Sequence, residues 1–95
     1  MGRPTRLQID FMATWCGKCR MIAPTVEALQ REHPGIAFYK LDTNDAVAGS
    51  VAEQLEVTAL PAFKFYAGGK EVVPEVVGYK KKPLQEAVAA LAKLK

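Results

Sequence analysis

Apolar positions along this chain switch repeatedly between a strand-like and a helical spacing. Leu7 to Ala13 is a largely apolar run with one acid, Asp10, inside it, the pattern of a buried strand. From Cys16 the period becomes helical, with Cys19, Ile22, Ala23, Val26 and Leu29 on one face. Pro24 removes the hydrogen bond to the Arg20 carbonyl and is expected to kink this helix without ending it. His33-Pro34-Gly35 supplies the stop. Ile36 to Leu41 is β-branched and aromatic enough for a second strand, and a βαβ unit of this length makes the two strands parallel.

Asp42-Thr43-Asn44-Asp45 forms a turn rich in N-cap candidates. Val47, Val51 and Leu55 then recur every fourth residue along a second helix, which Gly49 weakens slightly. Glu56 to Leu60 is a loop leading to Pro61. The runs Ala62 to Tyr66 and Glu71 to Val77 flank Ala67-Gly68-Gly69-Lys70, a hairpin signal, so the last two strands are antiparallel. Pro74 places the second of them at an edge or at a bulge. Gly78 closes that strand, and Pro83 suits the first turn of a final helix. Its stripe of Leu84, Ala87, Val88, Leu91 and Leu94 reads as core packing, as do Phe11, Phe38, Phe63 and Phe65. The order β-α-β-α-β-β-α predicts a single α/β domain over residues 1–95.

Composition narrows the class. With 95 residues, 49% hydrophobic and 24% charged, the chain suits one small soluble domain. No apolar run approaches the roughly 20 residues of a membrane span. The lead Met1-Gly2-Arg3-Pro4-Thr5-Arg6 lacks the apolar core of a signal peptide, which predicts a reducing compartment, the cytoplasm first. The net charge of +3 is partly local, in Lys80-Lys81-Lys82 with Lys93 and Lys95. A solvated surface is the simplest account, and an electrostatic aid to meeting acidic proteins the sharper one. No aromatic residues interleave the basic run, so nucleic-acid binding is not expected.

The candidate chemistry lies in Trp15-Cys16-Gly17-Lys18-Cys19, which holds the only tryptophan and both cysteines. A Cys-x-x-Cys at the exit of a strand and the entry of a helix points to redox chemistry. The attacking species is a thiolate, so one cysteine must be exposed and readily ionised. Cys16 stands where unpaired backbone N–H groups and the helix dipole favour negative charge. Cys19 lies one turn further in, on the buried face. Cys16 is therefore assigned as the nucleophile and Cys19 as the resolving thiol.

The competing use of such a pair is half of a zinc site, which needs four ligands when structural. The only other soft ligand is His33, about 20 Å away along the helix. No metal site is expected, and the dithiol chemistry calls for no cofactor. His33 itself suits a helix end. Asp10 has two readings: a strand-end carboxylate reaching water, or a buried proton acceptor for Cys19 with Lys40 of the neighbouring strand as its partner.

The segment Asp10-Phe11-Met12-Ala13-Thr14-Trp15-Cys16-Gly17-Lys18-Cys19-Arg20-Met21-Ile22-Ala23-Pro24 resembles the active-site segment of thioredoxins. The resemblance continues through Lys40-Leu41-Asp42, Val57-Thr58-Ala59-Leu60-Pro61-Ala62-Phe63, Gly68-Gly69 and Val77-Gly78. It implies a thioredoxin fold and a dithiol–disulfide oxidoreductase acting on protein disulfides, recharged by a thioredoxin reductase or an equivalent donor. It implies the same roles for Cys16 and Cys19, and favours Asp10 as proton acceptor with Lys40 beside it. It further implies a cis Leu60–Pro61 bond facing the dithiol, with the Leu60 backbone hydrogen-bonding an extended target segment. Trp15 and Gly78 match the family's apolar groove.

Two departures stand out. Thioredoxins usually have proline at Lys18, and usually begin with one more strand and helix, for which there is no room before Leu7. The chain is accordingly expected to be trimmed or a minimal version of the fold, a monomer unless an unprotected sheet edge supports a dimer. Lysine at position 18 resembles atypical plastid thioredoxin-like proteins, which makes the plastid stroma, after removal of a transit peptide, the alternative compartment. Gly17 and Lys18 lie between the two sulfurs and are the candidates for redox tuning. A cation near the thiolate predicts a more oxidising couple, compatible with oxidase or isomerase work. A thioredoxin-fold binding module with incidental cysteines is the third reading.

Overall fold

The fold is given by a computed structural model, which describes residues 5–94. Met1 to Pro4 of the polar lead, and Lys95 of the basic set, lie outside the described residues. The elements follow in the order β1 (Arg6–Met12), α1 (Gly17–Glu32), β2 (Ala37–Asp42), α2 (Ala46–Gln54), β3 (Ala62–Ala67), β4 (Lys70–Val77) and α3 (Lys81–Lys93). The sheet order is β2-β1-β3-β4. As expected, β1 and β2 are parallel and β3 and β4 antiparallel; β1 also pairs antiparallel with β3. This centres β1 in the sheet and places its C-terminal end, where the cysteine motif begins, between two neighbours.

Alternation along β1 sends Arg6, Gln8 and Asp10 to one face and Leu7, Ile9 and Phe11 to the other. The first face is covered by α1 and α3, whose Ile22, Val26, Leu29, Leu84, Val88 and Leu91 pack with Phe63, Phe65 and Val76. The second face is covered by α2, with Phe11, Ala52 and Ala62 at the centre. Phe38 is half-buried against the first of these cores.

Pro24 lies inside α1 on its exposed side, and the helix runs on past it to Glu32. Pro74 meets both halves of its expectation. Strand β4 is an edge strand, and its pairing with β3 shifts register between Phe63↔Val76 and Phe65↔Val73, which inserts one extra residue beside the proline. The hairpin uses Gly68 and Gly69 at φ 60° and 81°, the two positive values that a two-residue type I′ turn requires.

Helix α2 departs from the face that Val47, Val51 and Leu55 mark. Its buried residues are Ala48 and Ala52, while Val47 is 73% exposed and Val51 and Leu55 are half-buried. Val51 and Leu55 pack at the edge of the Phe11–Ala52–Ala62 cluster, and the helix comes closest to the preceding turn at Gly49. A Cβ on Gly49 would sit 2.8 Å from the Thr43 carbonyl oxygen, a backbone atom that cannot rotate away. Gly49 is thus a requirement of this close approach and more than a local weakening of the helix.

The ends of α2 also aim the chain at the site. Asp45 caps it, its carboxylate accepting from the Val47 and Ala48 N–H groups. At the other end Val57 N–H donates to the Ala52 carbonyl and Glu56 N–H to that of Glu53, a Schellman motif. Glu56 occupies the positive-φ position, at 60°, that glycine usually takes. The motif turns Val57–Leu60 back toward the cysteines.

Candidate active site

Strand β1 ends at Met12, one residue earlier than expected, because the chain turns at once. The Cys16 N–H donates to the Ala13 carbonyl at 3.1 Å, and Cys16 becomes the N-cap of α1. Its Sγ accepts from the Cys19 N–H at 3.2 Å, one of the helix-start donors that lack a partner within the helix. Both cysteines are free thiols. They pack with Ala13, against Met12 and Leu60.

The expected contrast in exposure between the two cysteines is absent. Cys16 is 7% exposed and Cys19 6%. Folding the Cys16 side chain back over the first turn to accept the amide hydrogen bond withdraws it from solvent. The distinction between the sulfurs lies in what each one faces. Cys16 lines an open groove of about 400 Å³ with Trp15, Thr43, Gly49, Ala52, Glu53 and the Val57–Leu60 segment. Cys19 lines a separate cavity of about 80 Å³ with Asp10, Met12, Arg20, Ala23 and Lys40.

Asp10 is 5% exposed, and its Oδ1 is buried without a hydrogen-bond partner. Burial pushes its carboxyl from 3.8 up to about 6, partly offset by the positive charge of Lys40. Lys40 is the register partner of Asp10 on β2. It is exposed, and the ion pairs found among the described residues are those of Lys64 with Glu71 and Glu75, so no contact pair closes between Asp10 and Lys40. Drawing the ammonium down to the buried carboxylate would cost its hydration, and it acts across a distance instead. The Cys19 thiol is pushed up to about 11, chiefly by burial, then by its hydrogen bond with Cys16. The negative charge of Asp10 adds to that shift.

Pro61 is buried and the Leu60–Pro61 bond is cis, as the resemblance implied. The Gly78 N–H donates to the Pro61 carbonyl at 2.8 Å, which brings the end of β4 to the same loop. Gly78 has φ 93° and open space around its Cβ position. Trp15 is 69% exposed on the groove rim. Gly17 and Lys18 are exposed on the first turn of α1.

Two further residues escaped the sequence reading. The Trp15 indole N–H donates to Asn44 Oδ1 at 3.2 Å, fixing the ring against the turn before α2. Arg20 Nη1 donates to the Thr14 carbonyl at 2.7 Å and braces the loop before Cys16. Asn44 was visible only as a turn residue, and nothing local announces a partner 29 positions away.

With the dithiol, the cis proline and the groove in one place, comparison with known proteins is decisive. The Thioredoxin family model matches residues 4–90. The chain belongs to the thioredoxin family. Thioredoxin-2 of Saccharomyces cerevisiae is 44% identical over 82 residues, covering 86% of this chain and 76% of the relative. A Thioredoxin H-type protein of Picea mariana is 45% identical over 84 residues, covering 88% and 65%. Among solved structures, Fasciola hepatica thioredoxin superposes with a TM-score of 0.85 at 39% identity, covering 93% of this chain and 82% of that one. The mixed four-stranded sheet flanked by three helices is a thioredoxin fold, and the chain is a dithiol–disulfide oxidoreductase. A binding module with incidental cysteines is not favoured. Among the described residues no group of three His, Cys, Asp or Glu side chains is placed to hold a metal ion, and no helix is long and apolar enough to cross a membrane.

Proposed function

We propose that this thioredoxin-family chain, as one domain over residues 1–95, reduces protein disulfides in two steps, with Cys16 attacking and Cys19 resolving. The observation that carries this reading is the division of space. Cys16 lines the larger, open groove, whereas Cys19 faces the smaller cavity that Asp10 also lines.

In the first step the Cys16 thiolate attacks one sulfur of the target disulfide. A mixed disulfide forms and the other target sulfur leaves as a thiolate. The helix-start N–H donated to Cys16 Sγ supports the charge before attack. In the second step Cys19 passes its proton to Asp10 and attacks Cys16 Sγ. The second target thiolate is released and the Cys16–Cys19 disulfide closes. Two electrons pass to the target, and a thioredoxin reductase or equivalent donor returns them to the chain. Once Cys16 is bound to a target, its charge and its side-chain hydrogen bond no longer hold the proton on Cys19, and transfer to Asp10 becomes easier.

Trp15 and Leu60 form the surface for the target, with the Leu60 backbone offering strand-like hydrogen bonds, while buried Pro61 and the Gly78 N–H bonded to its carbonyl hold that loop in place. Disulfide-containing proteins are the substrates; nucleic acid and membranes play no part. The chain works in a reducing compartment, the cytoplasm first and the plastid stroma as alternative, and as a monomer, with pairing at the sheet edge as the route to a dimer. Insulin reduction by dithiothreitol, followed as B-chain turbidity, tests the activity. The chain should shorten the lag and steepen the rise at catalytic concentration. A trace coincident with dithiothreitol alone would overturn the reading.

Direction of electron flow depends on Lys18. A cation beside the thiolate stabilises the reduced form and makes the couple less reducing than with proline. An exposed charge is worth about 0.5–1 kcal/mol, which corresponds to about 10–20 mV for a two-electron couple. Lys18→Pro should lower the midpoint by that amount in a glutathione titration. An unchanged or higher midpoint in the proline form would defeat this part.

A further inference from the structure

Helix α2 gives three residues to the wall of the groove beside Cys16. Gly49, Ala52 and Glu53 stand at i, i+3 and i+4, so they share one face of the helix. The first two are small and leave the space open. At Gly49 a Cβ would also meet the Thr43 carbonyl oxygen at 2.8 Å. Glu53 is the one long side chain of the three. The rest of the wall, from Trp15 and Cys16 to Val57 and Leu60, carries no permanent charge. The exposed cations Lys18, Arg20, Lys80, Lys81 and Lys82 lie outside it.

Two features of Glu53 call for an account. It lies in the last turn of α2, where the helix dipole favours a cation over a carboxylate, and that turn holds no basic residue. It is also exposed, and the ion pairs among the described residues are those of Lys64 with Glu71 and Glu75. No cation of the described chain therefore offsets its charge. The carboxylate works against the helix that carries it, yet it stands on the wall of the groove that holds the nucleophile.

We propose that Glu53 is a specificity-determining residue, selecting protein disulfides that carry a lysine or arginine within about two residues of the attacked cysteine. The inference rests on the reading of the chain as a protein-disulfide reductase with Cys16 as nucleophile. A target segment paired with the Leu60 backbone is extended, and its side chains at i and i+2 lie on one side about 6.5–7 Å apart. A basic side chain two positions from the target cysteine thus lies along the groove wall while the cysteine sulfur meets Cys16 Sγ.

When Cys16 is ionised for attack, the groove holds two negative charges, the thiolate and Glu53. It attracts a target with a cationic flank and repels one with an acidic flank. The exchange itself is unchanged. The Cys16 sulfur bonds to the target sulfur, the other target sulfur leaves as a thiolate, and Glu53 contributes to binding alone.

The test uses the reduced full-length chain and short peptides that differ only in having Arg, Gln or Glu two residues to either side of one cysteine. That cysteine is capped as a mixed disulfide with thionitrobenzoate. Attack by Cys16 on the cysteine sulfur expels the thionitrobenzoate anion, the better leaving group, and its absorbance gives the second-order rate constant. At low salt the arginine peptide should react about two- to fivefold faster than the glutamine peptide, and the glutamate peptide slower by about the same factor. The spread should shrink in about 0.5 M sodium chloride, where the Debye length falls to about 4 Å. Glu53→Gln should remove most of the spread, and Glu53→Lys should reverse it. Equal rates for the three peptides, or a spread that persists unchanged in both variants, would overturn the proposal. Thionitrobenzoate release from none of the peptides would instead overturn the reading of Cys16 as nucleophile, and the proposal with it.

Discussion

Cys16→Ser is expected to lose insulin reduction down to the dithiothreitol background, whereas Cys19→Ser should attack once and stop as a covalent complex. The two residues are three positions apart and equally buried, so exposure does not separate them. Their surroundings do. Cys16 Sγ takes the Cys19 N–H and lies on the wall of the 400 Å³ groove where a target can approach. Serine in its place has no accessible anion at neutral pH, and exchange requires a thiolate. In Cys19→Ser that attack survives, but no second sulfur is present to displace the target. Intact mass spectrometry after mixing with a disulfide substrate should show an adduct that dithiothreitol removes. Should Cys16→Ser carry the trapped adduct instead, the roles are reversed.

Asp10→Asn should make the protein more stable and slower at once. The folded Asp10 carboxyl ionises near 6 against 3.8 as the ordinary value, so the folded state binds the proton more tightly than the unfolded state does. The sign follows from linkage. Below about pH 4 both states are protonated and burial is tolerated; as pH rises from about 4 to 6 the unfolded state ionises first and stability falls. At about 1.4 kcal/mol per pH unit, the carboxylate costs the folded protein about 3 kcal/mol above neutrality. Asparagine carries no such penalty. Denaturant unfolding should therefore show the variant ahead by about 3 kcal/mol at pH 8 and level with the parent near pH 4. Parent and variant curves that run parallel across this range would refute the linkage. Stopped-flow resolution of the mixed disulfide should be slowed in the variant, with Cys16 attack largely intact. Unslowed resolution would show that Cys19 gives its proton elsewhere. Retaining a carboxyl that destabilises the fold makes sense only where it acts.

Much of this was legible along the chain because it is encoded at short range. Seven elements in order, the parallel first pair, the glycine hairpin and the edge position of β4 follow from periodicity and from the backbone limits of glycine and proline. The strand–Cys-x-x-Cys–helix junction is likewise contained in about fifteen consecutive residues. The placement of Cys16 at the helix start needed no tertiary information, since the period changes there.

The resemblance carried two long-range relations, Lys40 beside Asp10 and the cis Leu60–Pro61 bond, but periodicity missed how closely distant segments approach. Val47, Val51 and Leu55 share a period, yet α2 buries Ala48 and Ala52 most fully, leaves Val47 exposed, and has at Gly49 a position where a Cβ would meet the Thr43 carbonyl. Asn44 holds Trp15, and Lys40 shifts Asp10 without touching it.

The sequence by itself determined the elements, the family resemblance and the location of the dithiol, all of them local in chain distance. Only the tertiary structure decided the environments. It withdrew Cys16 from solvent, divided the two sulfurs between a large open groove and a smaller cavity, and buried the Gln8 amide and Asp10 Oδ1 without partners on one face. Burial and desolvation come from neighbours that packing brings together from opposite ends of the chain, and no local pattern contains them.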